Sequence, residues 1–315
     1  MILKQNYRIL ITWRNVIKNI DKYKNIFKNK KIKFDLIQER QNVKEKTLLK
    51  IIHKYDGILC GDDEITKKVI DKAKKLKVIS KWGAGMDSIE VEYAKENKIK
   101  VFNSPNAFPE SVSVYAIGLI IALSRKLFDS DKSIRNGKWE KFQGSQLAEK
   151  KLGIIGYGRI GKRIAHLAKG FNFDIFINDI NTSLKRNIKK SGYKFLTKKN
   201  LFKKVDFLCL AVDLNKKSFH MIGKKEFHLM KKNLILINIS RGPVVEEAFL
   251  IKALKEKKIA GAGLDVFEYE PLGIRNQLRK MNNCILSAHN AFNTHEASIQ
   301  TNNSSINNLF KGLKI

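Results

Sequence analysis

Long apolar runs are missing from this chain of 315 residues. A membrane-spanning helix needs about 18–20 consecutive apolar residues. The longest run here, around 112–123, reads as a buried helix. No secretory signal is legible either: Lys4 and Arg8 stand near the N-terminus, but polar residues break any apolar core and no small-residue cleavage site follows. Cysteine is sparse. Cys60, Cys209 and Cys284 are far apart, odd in number and each set in an apolar run, which reads as buried thiols in a reducing cytosol rather than a disulfide framework or metal site. With only 4 prolines and 43% hydrophobic residues the chain is not low-complexity, and it carries material for a sizeable core. Its length allows about two domains.

Acidic residues are the other shortage. Thirty Asp+Glu against 62 Lys+Arg leave a net charge of +32, a balance that opens a nucleic-acid or anionic-membrane hypothesis. The excess is mostly Lys, spread over the whole chain among abundant Asn and Ile, as an A- and T-rich genome would favour. No compact basic block with interleaved aromatics appears, so neither a specific nucleic acid nor a membrane is expected as a partner.

What is present is alternation. Short apolar runs at 8–13, 33–37, 57–60, 77–80 and 99–102 read as strands, and 45–55, 64–76 and 89–97 between them have helical spacing. A turn cluster, Asn103-Ser104-Pro105-Asn106, precedes a long helix at 109–127. A second series follows, with strands at 152–156, 173–179, 205–212, 234–239, 260–267 and 284–287 and helices at 159–169, 224–231 and 245–256. Strands alternating with helices imply βαβ units and parallel sheets, here in two α/β domains.

Gly156, Gly158 and Gly161 form G-x-G-x-x-G, which alone says little. Here the motif closes an apolar strand and opens a helix whose Ile160, Ile164 and Leu167 share one face. The three glycines then serve a tight turn, close approach of backbone to a pyrophosphate, and packing of helix on strand. The helix N-terminus adds free N–H groups and a positive dipole end. The next strand ends at Asp179, eighteen residues past Gly161. A carboxylate there accepts both hydroxyls of an adenosine ribose and repels a 2′-phosphate, so the cofactor indicated is NAD. A glycine turn with a solvated Asp is the plainer alternative.

Arg241 stands just after a strand end, where ligands of an open parallel sheet bind and a guanidinium can clamp a carboxylate. Acids at 265–270 end another strand, and His289 follows a third. Taken singly these are an ion-pair partner, a cap and a structural histidine. Together they form a proton-transfer set, because an acid beside an imidazole fixes its tautomer and favours the charged ring.

On these residues the chain resembles the D-isomer-specific 2-hydroxyacid dehydrogenases, the family of phosphoglycerate, glycerate and D-lactate dehydrogenases. The resemblance spans nearly the whole sequence, through Lys81-Trp82-Gly83-Ala84-Gly85-Met86-Asp87, Gly137-Lys138-Trp139, the glycine loop, Ser240-Arg241-Gly242, Asp265-Val266-Phe267, Glu270-Pro271 and His289. It implies Arg241, Glu270 and His289 as the catalytic trio. It implies NAD contacts from Gly156, Gly158, Gly161, the Arg159 and Ile160 backbone, Asp179, Ile239, Ser240 and Asp265, the last near the nicotinamide amide. Backbone N–H groups of Gly83, Ala84 and Gly85, with Arg241, would hold the substrate carboxylate.

The architecture implied is a doubly wound NAD-binding Rossmann domain, 105–292, inserted into a doubly wound flavodoxin-like substrate domain, 1–104 and 293–315. The activity implied is hydride transfer between NAD and C2 of a small D-2-hydroxy or 2-keto acid of 3-phosphoglycerate, glycerate/hydroxypyruvate or glyoxylate type. A cytoplasmic homodimer without a metal is expected. Two segments depart from the family: Val112-Ser113-Val114 replaces Val-Ala-Glu, and Ser287-Ala288-His289 replaces Thr-Pro-His, followed by Asn290-Ala291-Phe292-Asn293 in place of glycines. The rival readings are an NAD-sensing corepressor of the same fold and a nucleic-acid binder.

Overall fold

Every pair of neighbouring strands is parallel, and the strands fall into two sheets. The computed structural model describes residues 6–39 and 42–315; Lys4 and the start of the expected first domain lie outside the described residues. The first sheet holds β1 (Arg8–Ile11), β2 (Lys33–Leu36), β3 (Gly57–Cys60), β4 (Val78–Lys81) and β5 (Lys100–Phe102), in the order β2-β1-β3-β4-β5. The second holds β6 (Lys151–Ile155), β7 (Asp174–Asn178), β8 (Lys194–Phe195), β9 (Phe207–Leu210), β10 (Ile235–Asn238), β11 (Gly261–Leu264) and β12 (Cys284–Leu286), in the order β12-β11-β10-β9-β6-β7-β8. In both, the chain starts centrally, winds one way, then reverses. That is the doubly wound α/β architecture, flavodoxin-like in the first sheet and Rossmann-like in the second.

The central strands β3 and β9 are buried at every position. Covered on both faces, they read as unbroken apolar runs instead of alternating ones. Side chains such as Leu10, Ile58, Ile79 and Leu48 fill the core around the first sheet, and Leu208, Leu236, Phe176 and Leu254 that around the second.

The chain divides into two compact units, one made of Met1–Phe108 with Thr294–Ile315 and the other of Pro109–Asn293. Residues 105–108, expected in the NAD domain, belong to the first unit because Ala107 and Phe108 are buried there, Phe108 against Trp82 at 5.6 Å between ring centroids. Asn293 moves the other way: its N–H and side chain bond to Asn290 in the second unit. The last helix, His295–Leu313, completes the first unit. Ser80 Oγ donates to the Ser305 carbonyl (2.6 Å), Trp82 Nε1 to Asn302 Oδ1 (2.7 Å), and Gly312 lies so close to Val78 that a Cβ would meet it at 2.2 Å.

In the second unit the long helix Pro109–Arg125 packs on Arg159–Lys169, tied by Glu110 to Arg163 through two bonds (2.5 and 3.0 Å). After it comes Leu127–Arg135, then a stretch at 136–147 with neither helix nor strand. Among the described residues no single helix is long and apolar enough to cross a membrane.

Candidate active site

Because β6 to β12 run parallel, their carboxyl ends share one edge of the sheet, and the polar residues singled out in the second unit all follow those ends. Past β6, Gly156 takes a left-handed φ of +94°, and a Cβ there would lie 2.3 Å from the Ala211 carbonyl oxygen. Gly161 sits so close to the Gly156 carbonyl that a Cβ would fall 1.9 Å from it. Only glycine lets the helix Arg159–Lys169 press this tightly on its strand. At Gly158, by contrast, an added Cβ meets nothing within 4 Å, and Gly158 and Arg159 are exposed. The first N–H groups of the helix have no intrahelical acceptor. The turn is thus closed toward the protein and open outward, with a positive helix end behind it.

Asp179 follows β7 and faces this turn. Its Oδ2 accepts from the Tyr157 N–H (2.6 Å) and its Oδ1 from the Asn181 N–H (2.7 Å). Both bonds aim the carboxylate, and each oxygen retains a lone pair for a hydroxyl. An open anion cradle with a fixed carboxylate one strand away fits a dinucleotide: phosphates at the 156–161 turn, adenosine ribose at Asp179.

The second cluster follows β10, β11 and β12. Asn238 ends β10, and its Oδ1 accepts from the Ser240 N–H (3.1 Å) and hydroxyl (2.7 Å) while its amide donates to the Arg241 carbonyl (3.1 Å). Arg241 Nη1 in turn donates to the Ser240 carbonyl (2.9 Å). A Cβ on Gly242 would sit 1.8 Å from the Phe267 carbonyl, so the arginine turn lies directly on the acidic segment after β11. There Glu270 Oε1 accepts from the Phe267 N–H (3.1 Å), and His289 Nδ1 donates to Glu270 Oε2 (3.0 Å). A carboxylate only accepts, so Nδ1 carries the proton of this bond.

His289 has a left-handed φ of +50°, unusual for a residue with a Cβ. Asp265 holds it there: its carbonyl accepts from the His289 N–H (2.7 Å), and its carboxylate from the N–H groups of Asn290 (2.7 Å) and Ala291 (3.0 Å). Asp265 is buried, as are Ile239 and Ser240. The polar side chains of Ser240 and Asp265 are thus engaged inside the protein, Ser240 with Asn238 and Asp265 with the 290–291 backbone. Tyr115, which the sequence pattern does not single out, donates to Ser287 Oγ (2.7 Å), two residues before His289. Burial pushes the Cys209 and Cys284 thiols up to about 12, which keeps both protonated and inert.

Gly83, Ala84 and Gly85 lie in the first unit, after β4. Gly83 has a φ of +134°, its carbonyl accepts from the Ser104 N–H (2.8 Å), and the Ala84 carbonyl accepts from Asn103 Nδ2 (2.7 Å).

A dinucleotide cradle and an Arg/Glu/His set on one sheet edge define a nicotinamide-dependent oxidoreductase of the doubly wound class. Residues 117–291 match the family model described as D-isomer specific 2-hydroxyacid dehydrogenase, NAD binding domain. The chain is 40% identical over 260 residues to a glyoxylate reductase of Thermococcus litoralis, covering 79% of this chain and 78% of the relative. It is 35% identical over 271 residues to one of Korarchaeum cryptofilum, covering 83% and 81%. The crystal structure of D-lactate dehydrogenase from Aquifex aeolicus complexed with NAD and lactic acid superposes with a TM-score of 0.86 at 25% identity, covering 97% of this chain and 95% of that one. The chain belongs to the D-isomer specific 2-hydroxyacid dehydrogenases. It is an NAD-dependent enzyme acting on 2-hydroxy and 2-keto acids, and the sensor reading is not favoured.

Proposed function

We propose that the enzyme reduces glyoxylate, or a 2-keto acid of similar size, with His289 as proton donor, Glu270 as its partner and Arg241 as the substrate clamp. The observation that carries the roles is the His289–Glu270 bond of 3.0 Å beside the turn that bears Arg241. The size of the substrate is supported by the relatives named glyoxylate reductase. Bound NADH supplies the hydride that reaches C2. Protonated His289 gives its Nε2 proton to the keto oxygen, and Glu270, acceptor at both oxygens, steadies the imidazolium before that transfer. In the reverse direction neutral Nε2 removes the hydroxyl proton. Arg241 pairs with the carboxylate and draws electron density from the carbonyl. Within the first unit, the backbone N–H groups of Gly83, Ala84 and Gly85 are proposed as carboxylate-binding, supported by a loop whose Gly83 and Ala84 carbonyls are held by the Ser104 N–H and Asn103 Nδ2.

The test is a panel of keto acids with NADH, followed by loss of absorbance. Glyoxylate and hydroxypyruvate should turn over, and His289→Asn should reduce kcat by about 10²–10⁴-fold while NADH still binds. Wild-type rates in that variant would remove His289 from the chemistry.

We also propose a cytoplasmic homodimer. It is supported by Phe128 (61% exposed), Ile134 (52%) and Trp139 (86%), large apolar side chains left exposed on the helix Leu127–Arg135 and the stretch after it. Sedimentation velocity should give a dimer for the wild type and a monomer for Trp139→Asp.

A further inference from the structure

The second unit contains another histidine–carboxylate pair that the proposed chemistry does not use. We propose that His220 and Glu268 form a positioning pair that fixes the turn of Arg241 against the segment of Glu270. His220 makes one bond to each. Its backbone N–H donates to the Pro243 carbonyl (2.8 Å), two residues past Arg241. Its Nε2 donates to Glu268 Oε1 (2.7 Å), two residues before Glu270.

The pair is built, not incidental. His220 adopts a left-handed φ of +48°, and the Phe219 ring stacks on its imidazole at 4.0 Å. Glu268 is mostly buried, and its other oxygen accepts from the Glu247 N–H (2.9 Å) at the start of the helix Glu247–Lys255. A negative charge is favoured at that end. Glu247 answers by accepting the Glu268 N–H (3.2 Å), and its other oxygen accepts from Asn276 (2.6 Å). Glu268 is therefore fixed on both oxygens, and His220 is the link from this fixed carboxylate to the arginine turn. Without that link, the arginine turn loses its side-chain tie to Glu268, and the distance from Arg241 to the His289–Glu270 pair loosens.

The proposal rests on the roles given above to Arg241, Glu270 and His289, so His289→Asn serves as control. The full chain is made as wild type, His220→Leu, His220→Gln, Glu268→Gln and His289→Asn. Each is assayed with glyoxylate and NADH below its Tm, with NADH affinity read separately by fluorescence. Misplacement near 1 Å lowers rates by up to about 10²-fold. His220→Leu should thus lower kcat roughly 10–100-fold and raise the glyoxylate KM, leaving NADH affinity unchanged. His220→Gln, whose amide can still donate to Glu268, should recover most of kcat. Should His220→Leu not fold, Glu268→Gln must show the same kinetic pattern. Wild-type kcat in His220→Leu with only a lower Tm, or no advantage of Gln over Leu, overturns the positioning role while lost turnover in His289→Asn leaves the trio standing. Turnover surviving in His289→Asn removes the trio and the proposal with it.

Discussion

Gly158 and Gly161 stand three residues apart in one turn, yet an added methyl group should act oppositely at the two. At Gly158, φ of −74° and ψ of −161° suit any residue, and a Cβ meets nothing within 4 Å. Gly158→Ala clashes with no protein atom. Alanine at an N-cap costs some tenths to about 1 kcal/mol, offset by the lower entropy of the unfolded chain, so Tm should move by no more than ~3 °C. The methyl group projects instead where a pyrophosphate must approach the helix N-terminus. Breaking one charge-assisted bond there costs ~1.5–3 kcal/mol, a loss of NADH affinity of roughly 10–150-fold. At Gly161 the Cβ would fall 1.9 Å from the Gly156 carbonyl oxygen, so helix and strand must part. Overpacking of this kind costs about 1–3 kcal/mol or more, and Tm should drop by roughly 2–12 °C. Fluorescence titration with NADH and thermal unfolding without it read the two effects separately. Wild-type NADH affinity in Gly158→Ala, or a larger Tm loss there than in Gly161→Ala, refutes the assignment of this turn to phosphate.

Other outcomes follow from the same geometry. Asp179→Ala should erase the preference for NADH over NADPH in kcat/KM; an unchanged ratio would mean another group reads the ribose. Arg241→Lys should raise the keto-acid KM and lower kcat, since a point charge cannot reproduce a two-bond clamp, and a variant altered only in Tm would mark Arg241 as structural. Asp206, before β9, is favoured in its neutral form by burial, yet the Lys151 N–H, Lys231 and Asn233 outweigh this and hold its pKa below the ordinary 3.8. A carboxylate lowered on folding stabilises above its unfolded pKa and loses that contribution as pH falls through the folded one. Asp206→Asn should therefore lower Tm near pH 7 and progressively less below about pH 4; a gap constant with pH would contradict the linkage. Fluorescence anisotropy with labelled duplex and single-stranded DNA at about 150 mM salt should show no sub-micromolar binding despite the +32 charge.

The sheets were legible because their strands are buried on both faces and flanked by helical spacing. Only Lys194–Phe195, two residues long, offered no period to read. The dinucleotide turn was legible because its glycine spacing falls between a strand and a helix. The scaffolding contacts of Asp265 were not legible for a physical reason: its three acceptor contacts to the 289–291 backbone depend on β11 and β12 being neighbours, which the residues around it do not encode. His220 and Glu268, 48 positions apart, were invisible likewise. The helix His295–Leu313 escaped the periodicity argument because it buries Thr301, Asn302 and Ser305, a polar face that looks like surface until the Trp82 and Ser80 partners are placed.

That last helix also sets the order in which the chain can mature. β1 to β5 emerge first from the ribosome, but the layer that covers β3 and β4 is encoded almost 200 residues later, in His295–Leu313. Until it arrives, Val78 lacks the surface it packs against, and Ser80 and Trp82 lack the acceptors of their side-chain bonds. The second unit is continuous from Pro109 to Asn293 and has no such debt. The usual N-to-C sequence of domain folding during synthesis is therefore inverted here: the middle of the message yields the first finished unit, and the beginning waits for the end, open to chaperones or to premature pairing in the meantime.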